Sequence, residues 1–301
     1  MSGLSTNLLG VGLSVLAALL FAVQYIFLRL GTRRASAMDV VLVTLATNVA
    51  IVGPLALLVH GLPSMSTEAA LAFVGAGIAG SLLGRVCMFQ SVKAIGASRT
   101  SPVVAGNVFF ATILAVLIFG EGLTVFHGIG IVLIVLGVGY ISWETAQGND
   151  PGESIDSYGP VLLLPVLAAL FIGIEPIFIR IGFEAGGAVL PGVAIKVTAA
   201  LCGFLIVLLI KRDLGIGRIA KAPELRWYLG AGVTGTFGLV ALFAALEVAA
   251  IVIVVPLLQT VPLIVMILSV LVLPRRLERV SWRLVSAAMV VVIGAVIVSV
   301  Q

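Results

Sequence analysis

One sixteen-residue segment occurs twice in this chain, about 150 residues apart. Residues 16–31 read LAALLFAVQYIFLRLG and residues 167–182 read LAALFIGIEPIFIRIG, with eight identical positions. Both copies are long, apolar and basic near the end, with Arg29 in the first copy and Arg180 in the second. A membrane helix that recurs at this spacing predicts an internally repeated transporter.

The composition excludes an ordinary soluble domain. Of the 301 residues, 61% are hydrophobic and 10% are charged, and the mean hydropathy is +1.28. A soluble chain of this length needs more charge to cover its surface, whereas a helix needs about 20 apolar residues to cross a bilayer. Ten apolar runs predict ten membrane spans, at 8–30, 39–60, 69–92, 98–120, 124–143, 159–181, 189–210, 226–247, 250–273 and 281–300.

The spans fall into two halves. Residues 1–146 form a first five-helix repeat, residues 147–158 are an acidic polar linker with Gly and Pro, and residues 159–301 form a second five-helix repeat. Because each half has an odd number of spans, the halves insert in opposite orientations. The sequence therefore predicts an all-α integral membrane protein built from two inverted repeats.

The repeat continues beyond its first helix. Phe89 aligns with Phe243, and Pro102 aligns with Pro256. Spans three and eight also share a group of four glycines, which we interpret as close helix packing because small residues let helix backbones approach each other in lipid. These glycines are Gly75, Gly77, Gly80 and Gly84 in span three and Gly230, Gly232, Gly235 and Gly238 in span eight.

The basic residues predict the orientation in the membrane. Fourteen of the 17 Lys and Arg residues lie at or near the loops after spans one, three, seven and nine, and only Arg180 lies on the other side. The positive-inside rule places those loops in the cytoplasm and both termini outside the cell membrane. We therefore attribute the net charge of +4 to contact with lipid headgroups and not with nucleic acid.

The chain resembles the EamA family of the drug/metabolite transporter superfamily over nearly its whole length. The two five-helix repeats carry this resemblance together with shorter motifs. The motifs are Gln24 before Arg29, Glu175 before Arg180, the segment FQSVKAIGASRTSPVVAG at 89–106, and the pair Gly120-Glu121 that closes span four. The resemblance implies export or exchange of small metabolites, amino acids or drugs. Pro274-Arg275 stands where the second repeat would carry the Gly-Glu pair.

Four ionisable residues are candidates for charges inside the bilayer, where a charge is costly and usually faces a cavity or the interior of the bundle. They are Arg85, Glu175, Lys196 and Glu247. Glu175 precedes Pro176, which bends a helix and frees a carbonyl, so this carboxylate is a candidate for binding or proton coupling. Arg85 and Lys196 are candidates for an anionic solute group. The alternative for all of them is ion pairing between helices.

Neutral polar side chains in the spans are candidates for the remaining solute contacts. They are Gln24, Tyr25, Asn48, Asn107, Gln259 and Thr260. Each of them is also able to form an interhelical hydrogen bond without contacting a solute. Pro256 and Pro262 lie on either side of Gln259 and Thr260 and predict a bent ninth span. The solute is expected near the midplane, between helices one, three, four, six, eight and nine.

Neither a metal nor a cofactor is implied. His60 and His127 lie at span ends without nearby ligands, and we interpret them as interfacial. Cys87 and Cys202 lie in apolar runs, and we interpret them as small buried hydrophobes. The chain also lacks a G-x-x-x-x-G-K-[ST] loop and an H-E-x-x-H motif. A lipid-linked substrate flippase on the same scaffold, an intramembrane enzyme and a passive channel are the alternatives to a carrier.

Overall fold

In the computed structural model, all regular secondary structure of the described residues is helical. These residues are 2–31, 37–61, 65–95, 100, 103–146, 163–210, 219, 222–272 and 282–299. The elements in chain order are α1 (Ser2–Gly31), α2 (Ala37–His60), α3 (Thr67–Ala76), a π-helical segment (Gly77–Gly84), α4 (Arg85–Ile95), α5 (Asn107–Phe119), α6 (Val125–Ala146), α7 (Leu163–Glu184), α8 (Val189–Ile210), α9 (Leu225–Val248), α10 (Ile251–Leu258), α11 (Val261–Val272) and α12 (Trp282–Ser299).

Each of the ten predicted apolar runs contains helix, and six described helical stretches are long and apolar enough to cross a membrane. These six are Leu8–Leu28, Met38–His60, Thr67–Met88, Leu163–Glu184, Val189–Ile210 and Leu225–Val248. The chain is therefore a multi-pass α-helical membrane protein. The count of ten spans and the inverted orientation of the halves stay predictions, and the predicted linker at 147–158 lies outside the described residues.

The helices divide into two compact units that do not coincide with the two sequence repeats. The first unit comprises Met1–Ile78 and Phe178–Val248, and the second comprises Ala79–Ile177 and Ala249–Gln301. Each unit therefore takes segments from both halves of the sequence. The repeat describes how the sequence is organised, whereas the units describe how the helices pack.

In the first unit, α9 is the central helix. It packs along α1 and α2, while α8 packs against α2, α3 and α9. At one end, the fully buried Tyr228 of α9 packs with Val40 and Val43 of α2 and with Ile219. This cluster fixes the position of Ile219, whose neighbours 211–218 and 220–221 lie outside the described residues.

In the second unit, α6 packs along α12, and α10 contacts α5, α6 and α12. Glycines make the α6–α12 contact close. A methyl group on Gly137 would lie 2.5 Å from Val291 Cγ2, and one on Gly294 would lie 2.7 Å from the carbonyl oxygen of Gly130. Small residues at helix interfaces of this kind permit tight packing inside a bilayer, where apolar side chains gain little from contact with each other.

The predicted bend in span nine is an interruption of the helix. α10 ends at Leu258 and α11 begins at Val261. The amides of Gln259 and Thr260 donate to the carbonyl oxygens three residues earlier, at 3.0 and 3.1 Å, and so form a tighter turn than an α-helix. Pro262 has no N–H to continue the helical ladder, which explains why the helix is interrupted at this point.

Candidate functional site

The carboxylate of Glu175 lies directly against the backbone of Gly80. Glu175 is half-buried within α7, one residue before Pro176, and Gly80 lies in the π-helical segment. A methyl group on Gly80 would overlap the carboxylate and would lie only 2.5 Å from its carbon atom. The absence of a side chain at position 80 is therefore what allows the carboxylate to lie there.

Gln24 has the same kind of contact in the other repeat. It lies half-buried in α1, and a methyl group on Gly235 of α9 would lie 2.7 Å from its amide carbon. On either side, Phe27 faces Gly230 and Phe21 faces Gly238, at 3.4 and 2.9 Å from the corresponding methyl positions. Three residues of α1 thus pack on three glycines of α9.

The neighbours of Glu175 in α7 repeat this arrangement. Phe178, which aligns with Phe27, lies 3.0 Å from the methyl position of Gly75, and Ile172, which aligns with Phe21, lies 2.7 Å from that of Gly84. The first helix of each repeat therefore packs on the glycines of the third helix of the other repeat. The polar residue in the middle is Gln24 in one case and Glu175 in the other.

Lys196 is buried in the first unit with an exposed fraction of 1%. Its ammonium nitrogen lies 5.5 Å from the centre of the Phe243 ring, within the range of a cation–π contact. Phe243 in turn packs with Phe73 and Phe183, with ring centres 5.9 and 6.0 Å apart. The predicted charge therefore lies beside an aromatic cluster.

The ring of Phe73 lies in a pocket of glycines. Methyl groups on Gly182, Gly187 and Gly192 would lie 2.6, 2.5 and 2.7 Å from its ring atoms. Phe73 is fully buried. The three glycines belong to the end of α7, the connection and the start of α8, so a single aromatic ring joins these elements to α3.

Arg180 lies near the end of α7, in the first unit. Its Nη1 donates to the carbonyl oxygen of Leu246 at 3.1 Å, and its Nε lies 3.4 Å from Glu184 Oε1. The bond to Leu246 satisfies a carbonyl group near the end of α9, where helical partners run out. Arg180 therefore fastens α7 to α9.

Asn107 and Gln259 both bond to carbonyl groups at interruptions of their helices. Gly106 separates a helical turn at 103–105 from α5. Asn107 Nδ2 donates to the carbonyl oxygen of Val104 at 2.9 Å, and Gln259 Nε2 donates to that of Ala105 at 2.9 Å. The hydroxyl of Thr260 donates to Leu257 at 2.7 Å. These contacts match the alternative from the sequence, in which the polar residues hold backbone and helices together.

Asn48 is buried and joins α2 to α9. In the amide orientation that satisfies its neighbours, its nitrogen lies 2.9 Å from the carbonyl oxygens of Thr44 and Gly232 and 3.0 Å from Thr236 Oγ1. The hydroxyl of Thr236 donates a hydrogen bond to the carbonyl oxygen of Gly232 at 2.8 Å. These hydrogen bonds between helices explain why Asn48 is polar and buried without any contact with a solute.

The remaining two candidates lie apart from these networks. Tyr25 points outward from α1 with an exposed fraction of 52%. Arg85 is half-buried and begins α4, directly after the π-helical segment. It therefore lies five residues after Gly80, on the helix that follows the segment in contact with Glu175.

Glu121 has a structural role that the sequence analysis did not assign. Gly120 ends α5 in a left-handed conformation, with φ of 64°. The next residue, Glu121, accepts hydrogen bonds from the amides of Ile251 and Val252 at 2.9 and 3.0 Å. A carboxylate at these amides satisfies two N–H groups at the start of α10 and complements the helix dipole. In the sequence, the Gly120-Glu121 motif was the feature that could have indicated this role.

One interpretation of a single residue was wrong, and one stays untested. The placement of His127 at the membrane interface stays a prediction; it lies at the start of α6, is buried with an exposed fraction of 5%, and exchanges hydrogen bonds with Thr124. This reciprocal pair has the form of a capping box, with an imidazole in place of the usual Glu or Gln. Cys202 is exposed. Hydropathy alone does not distinguish a lipid-facing position from a packed one.

The comparisons with known proteins agree with this architecture. A model of the EamA-like transporter family matches residues 8–143 and again residues 159–300. The chain belongs to the EamA-like transporter family. A solved structure, described only as a crystal structure of a protein, matches with a TM-score of 0.79 and 16% sequence identity, over 98% of this chain and 96% of that one. The comparison with curated proteins finds no match. The EamA-like chain is therefore a membrane transporter of the drug/metabolite kind.

Proposed function

We propose that this EamA-like protein is a secondary transporter that moves a small organic solute across the cell membrane by alternating access. In this proposal the ten spans form two inverted repeats, and Glu175 is the carboxylate that binds the solute or exchanges the coupling proton. The matched packing of α1 on α9 and of α7 on the π-helical segment supports a repeat of this kind, since such repeats give carriers two related conformations.

The observation that carries the role of Glu175 is its contact with Gly80. A carboxylate within an apolar helix is expensive in a membrane, and such residues commonly mark functional positions. The equivalent position in the first repeat holds Gln24, which packs in the same way but does not titrate. The fold thus already makes a purely structural polar contact of this kind with the amide of Gln24. The carboxylate adds what an amide lacks, namely the ability to take up and release a proton.

Lys196 and Arg85 are proposed to bind an anionic group of the solute. Lys196 is the better candidate because its ammonium lies in a buried aromatic environment, where an ionic contact is weakened less by water. If this role is right, Lys196→Met raises the KM for anionic solutes and leaves that for cationic solutes unchanged. An equal effect on both classes of solute would assign Lys196 to packing.

The proposed function is tested with purified protein in liposomes that contain a pH-sensitive dye. Amino acids, nucleobases, sugars and cationic drugs are added outside, and labelled solute is followed in parallel. The variants are Glu175→Gln and, as a matched control, Glu184→Gln, which removes an exposed carboxylate from the same helix. We expect solute-driven proton movement in the wild type and in the control, and none in Glu175→Gln.

Other outcomes lead to different conclusions. Labelled solute that crosses without proton movement in all three proteins would identify a facilitator or exchanger and would reject the coupling role of Glu175. Flux that does not saturate with solute would identify a channel.

A flippase for lipid-linked substrates is the second candidate, and one groove bears on it. A cavity of about 400 Å³ opens on the first unit between α2, α3 and α8. It is lined by apolar residues, with Thr198 and Cys202 as its polar side chains. A lipid headgroup needs charged or strongly polar partners, and the described lining of this groove offers it no charged side chain.

A further inference from the structure

The glycines of spans three and eight differ by one residue in their spacing. Gly75, Gly77 and Gly80 each precede their counterparts Gly230, Gly232 and Gly235 by 155 positions. Gly84 precedes Gly238 by 154 positions, and Phe89 precedes Phe243 by the same number. Span three therefore has one residue more than span eight between its last two glycines, within 81–83.

The π-helical segment coincides with this extra residue. It covers Gly77–Gly84, whereas the corresponding part of span eight lies within the continuous α-helix Leu225–Val248. Hydrogen bonds from i to i+5 enclose one more residue than those of an α-helix, so a π turn absorbs an inserted residue without ending the helix. The difference in length and the difference in helix type are one feature.

The helix keeps its alignment on both sides of the insertion. In each repeat the two flanking residues of the first helix are separated by the same number of positions, 172 to 178 in one and 21 to 27 in the other. Both pairs pack on flanking glycines, although the span between Gly75 and Gly84 is one residue longer than that between Gly230 and Gly238. The extra residue is therefore accommodated between the flanking contacts, where Glu175 lies on Gly80.

We infer that the inserted residue and Gly80 position the carboxylate of Glu175, and that this is the structural difference between Glu175 and its counterpart Gln24. The inference rests on the proposed function of Glu175. Each residue of an α-helix turns the chain by about 100°. Removal of one residue from 81–83 would have one of two effects. It would either restore a regular helix or rotate Gly80 away from the face of the helix on which Gly84 lies. Gly80 and the inserted residue are positioning elements and do not themselves contact a solute in this proposal.

The test compares the pH profile of transport in matched variants. Deletion of Leu82 removes the extra residue, and Leu82→Ala is its control because it keeps the residue count. Gly80→Ala adds the methyl group that would overlap the carboxylate, and Gly235→Ala adds the equivalent group against Gln24. We expect the transport rate of the wild type to change with pH, and we expect this slope to be lost in the Leu82 deletion and in Gly80→Ala and to be kept in both controls.

Folding of every variant is checked by its elution in size-exclusion chromatography and its thermal unfolding. If deletion of Leu82 does not fold, Gly80→Ala decides. A measurement that needs no altered backbone is amide hydrogen exchange at one pH in wild type and Glu175→Gln. We expect the two proteins to differ in the segment Gly77–Gly84 and to agree at Gly230–Gly238.

The outcomes separate this inference from the proposed function. If Glu175→Gln loses the slope while a folded Gly80→Ala or Leu82 deletion keeps it, the inference is wrong and the function of Glu175 stands. Equal exchange at Gly77–Gly84 in wild type and Glu175→Gln also overturns the inference. If Glu175→Gln keeps the slope of the wild type, the proposed function itself fails.

Discussion

Gln259 donates a hydrogen bond to the carbonyl oxygen of Ala105, and this bond links the interruptions of two equivalent spans. Ala105 ends the short helical turn before Gly106, and Gln259 lies between α10 and α11. Each interruption frees backbone groups that have no water to bond within a bilayer. One side chain from the second repeat thus satisfies a carbonyl group in the first.

Gln259→Leu should therefore destabilise the protein by about 1–2 kcal/mol, because it leaves the carbonyl of Ala105 without this donor. Thr260→Val is the control, since Leu257 still accepts the amide of residue 260 at 3.1 Å. We expect the control to lie within about 0.5 kcal/mol of wild type. Unfolding in mixed micelles with increasing denaturing detergent measures both. Equal stability of Gln259→Leu and wild type would show that this bond contributes nothing net.

Glu121 should contribute to stability through the start of α10. Glu121→Ala removes the acceptor of two amides, those of Ile251 and Val252, and should cost about 1–2 kcal/mol. Glu121→Gln keeps one acceptor oxygen and should cost less. Glu247→Gln is the control, because Glu247 is an exposed carboxylate near the end of α9. The same unfolding assay applies, and an unchanged Glu121→Ala would argue against the capping role.

Much of this architecture could be predicted from the sequence. Apolar runs located the helices because a helix is the only single element that satisfies its own backbone in lipid. Pro256 and Pro262 located the interruption in span nine, since proline lacks the N–H that the ladder needs. The glycines of spans three and eight were identified as packing positions, and the structure brings each flanking glycine against an aromatic or branched side chain.

The partners of the polar residues could not be predicted in the same way. Sequence identified Asn48, Asn107 and Gln259 as polar residues in apolar helices, and both a solute role and a packing role were open. Their hydrogen-bond partners lie up to 188 residues away in the chain, and hydropathy carries no information on such pairs. The π-helical segment was visible only as one extra residue between Gly80 and Gly84, which requires the two repeats to be compared position by position.

The glycine pocket around Phe73 predicts a coupled pair of substitutions. Gly192→Ala places a methyl group 2.7 Å from the ring and should cost about 1–3 kcal/mol through overpacking. Gly128→Ala is the control, because nothing lies within 4 Å of its methyl position. Combining Gly192→Ala with Phe73→Leu should cost less than the sum of the single changes, since the smaller side chain leaves room for the methyl group. Strictly additive costs in thermal unfolding would show that the two positions do not share this space.

Moving the carboxylate to the other repeat should not restore coupling. The double variant Glu175→Gln with Gln24→Glu keeps one carboxylate and one amide at equivalent positions of α1 and α7, so charge and composition are unchanged. Its carboxylate would then lie against Gly235 in the regular helix α9 and not against a π-helical segment. We therefore expect the double variant to fold like wild type and to show no solute-driven proton movement, as for Glu175→Gln alone. The single variant Gln24→Glu should keep the coupling of wild type, because Glu175 and Gly80 are intact. Proton movement restored in the double variant would mean that either repeat can supply the coupling carboxylate, and that the extra residue of span three is not what distinguishes them.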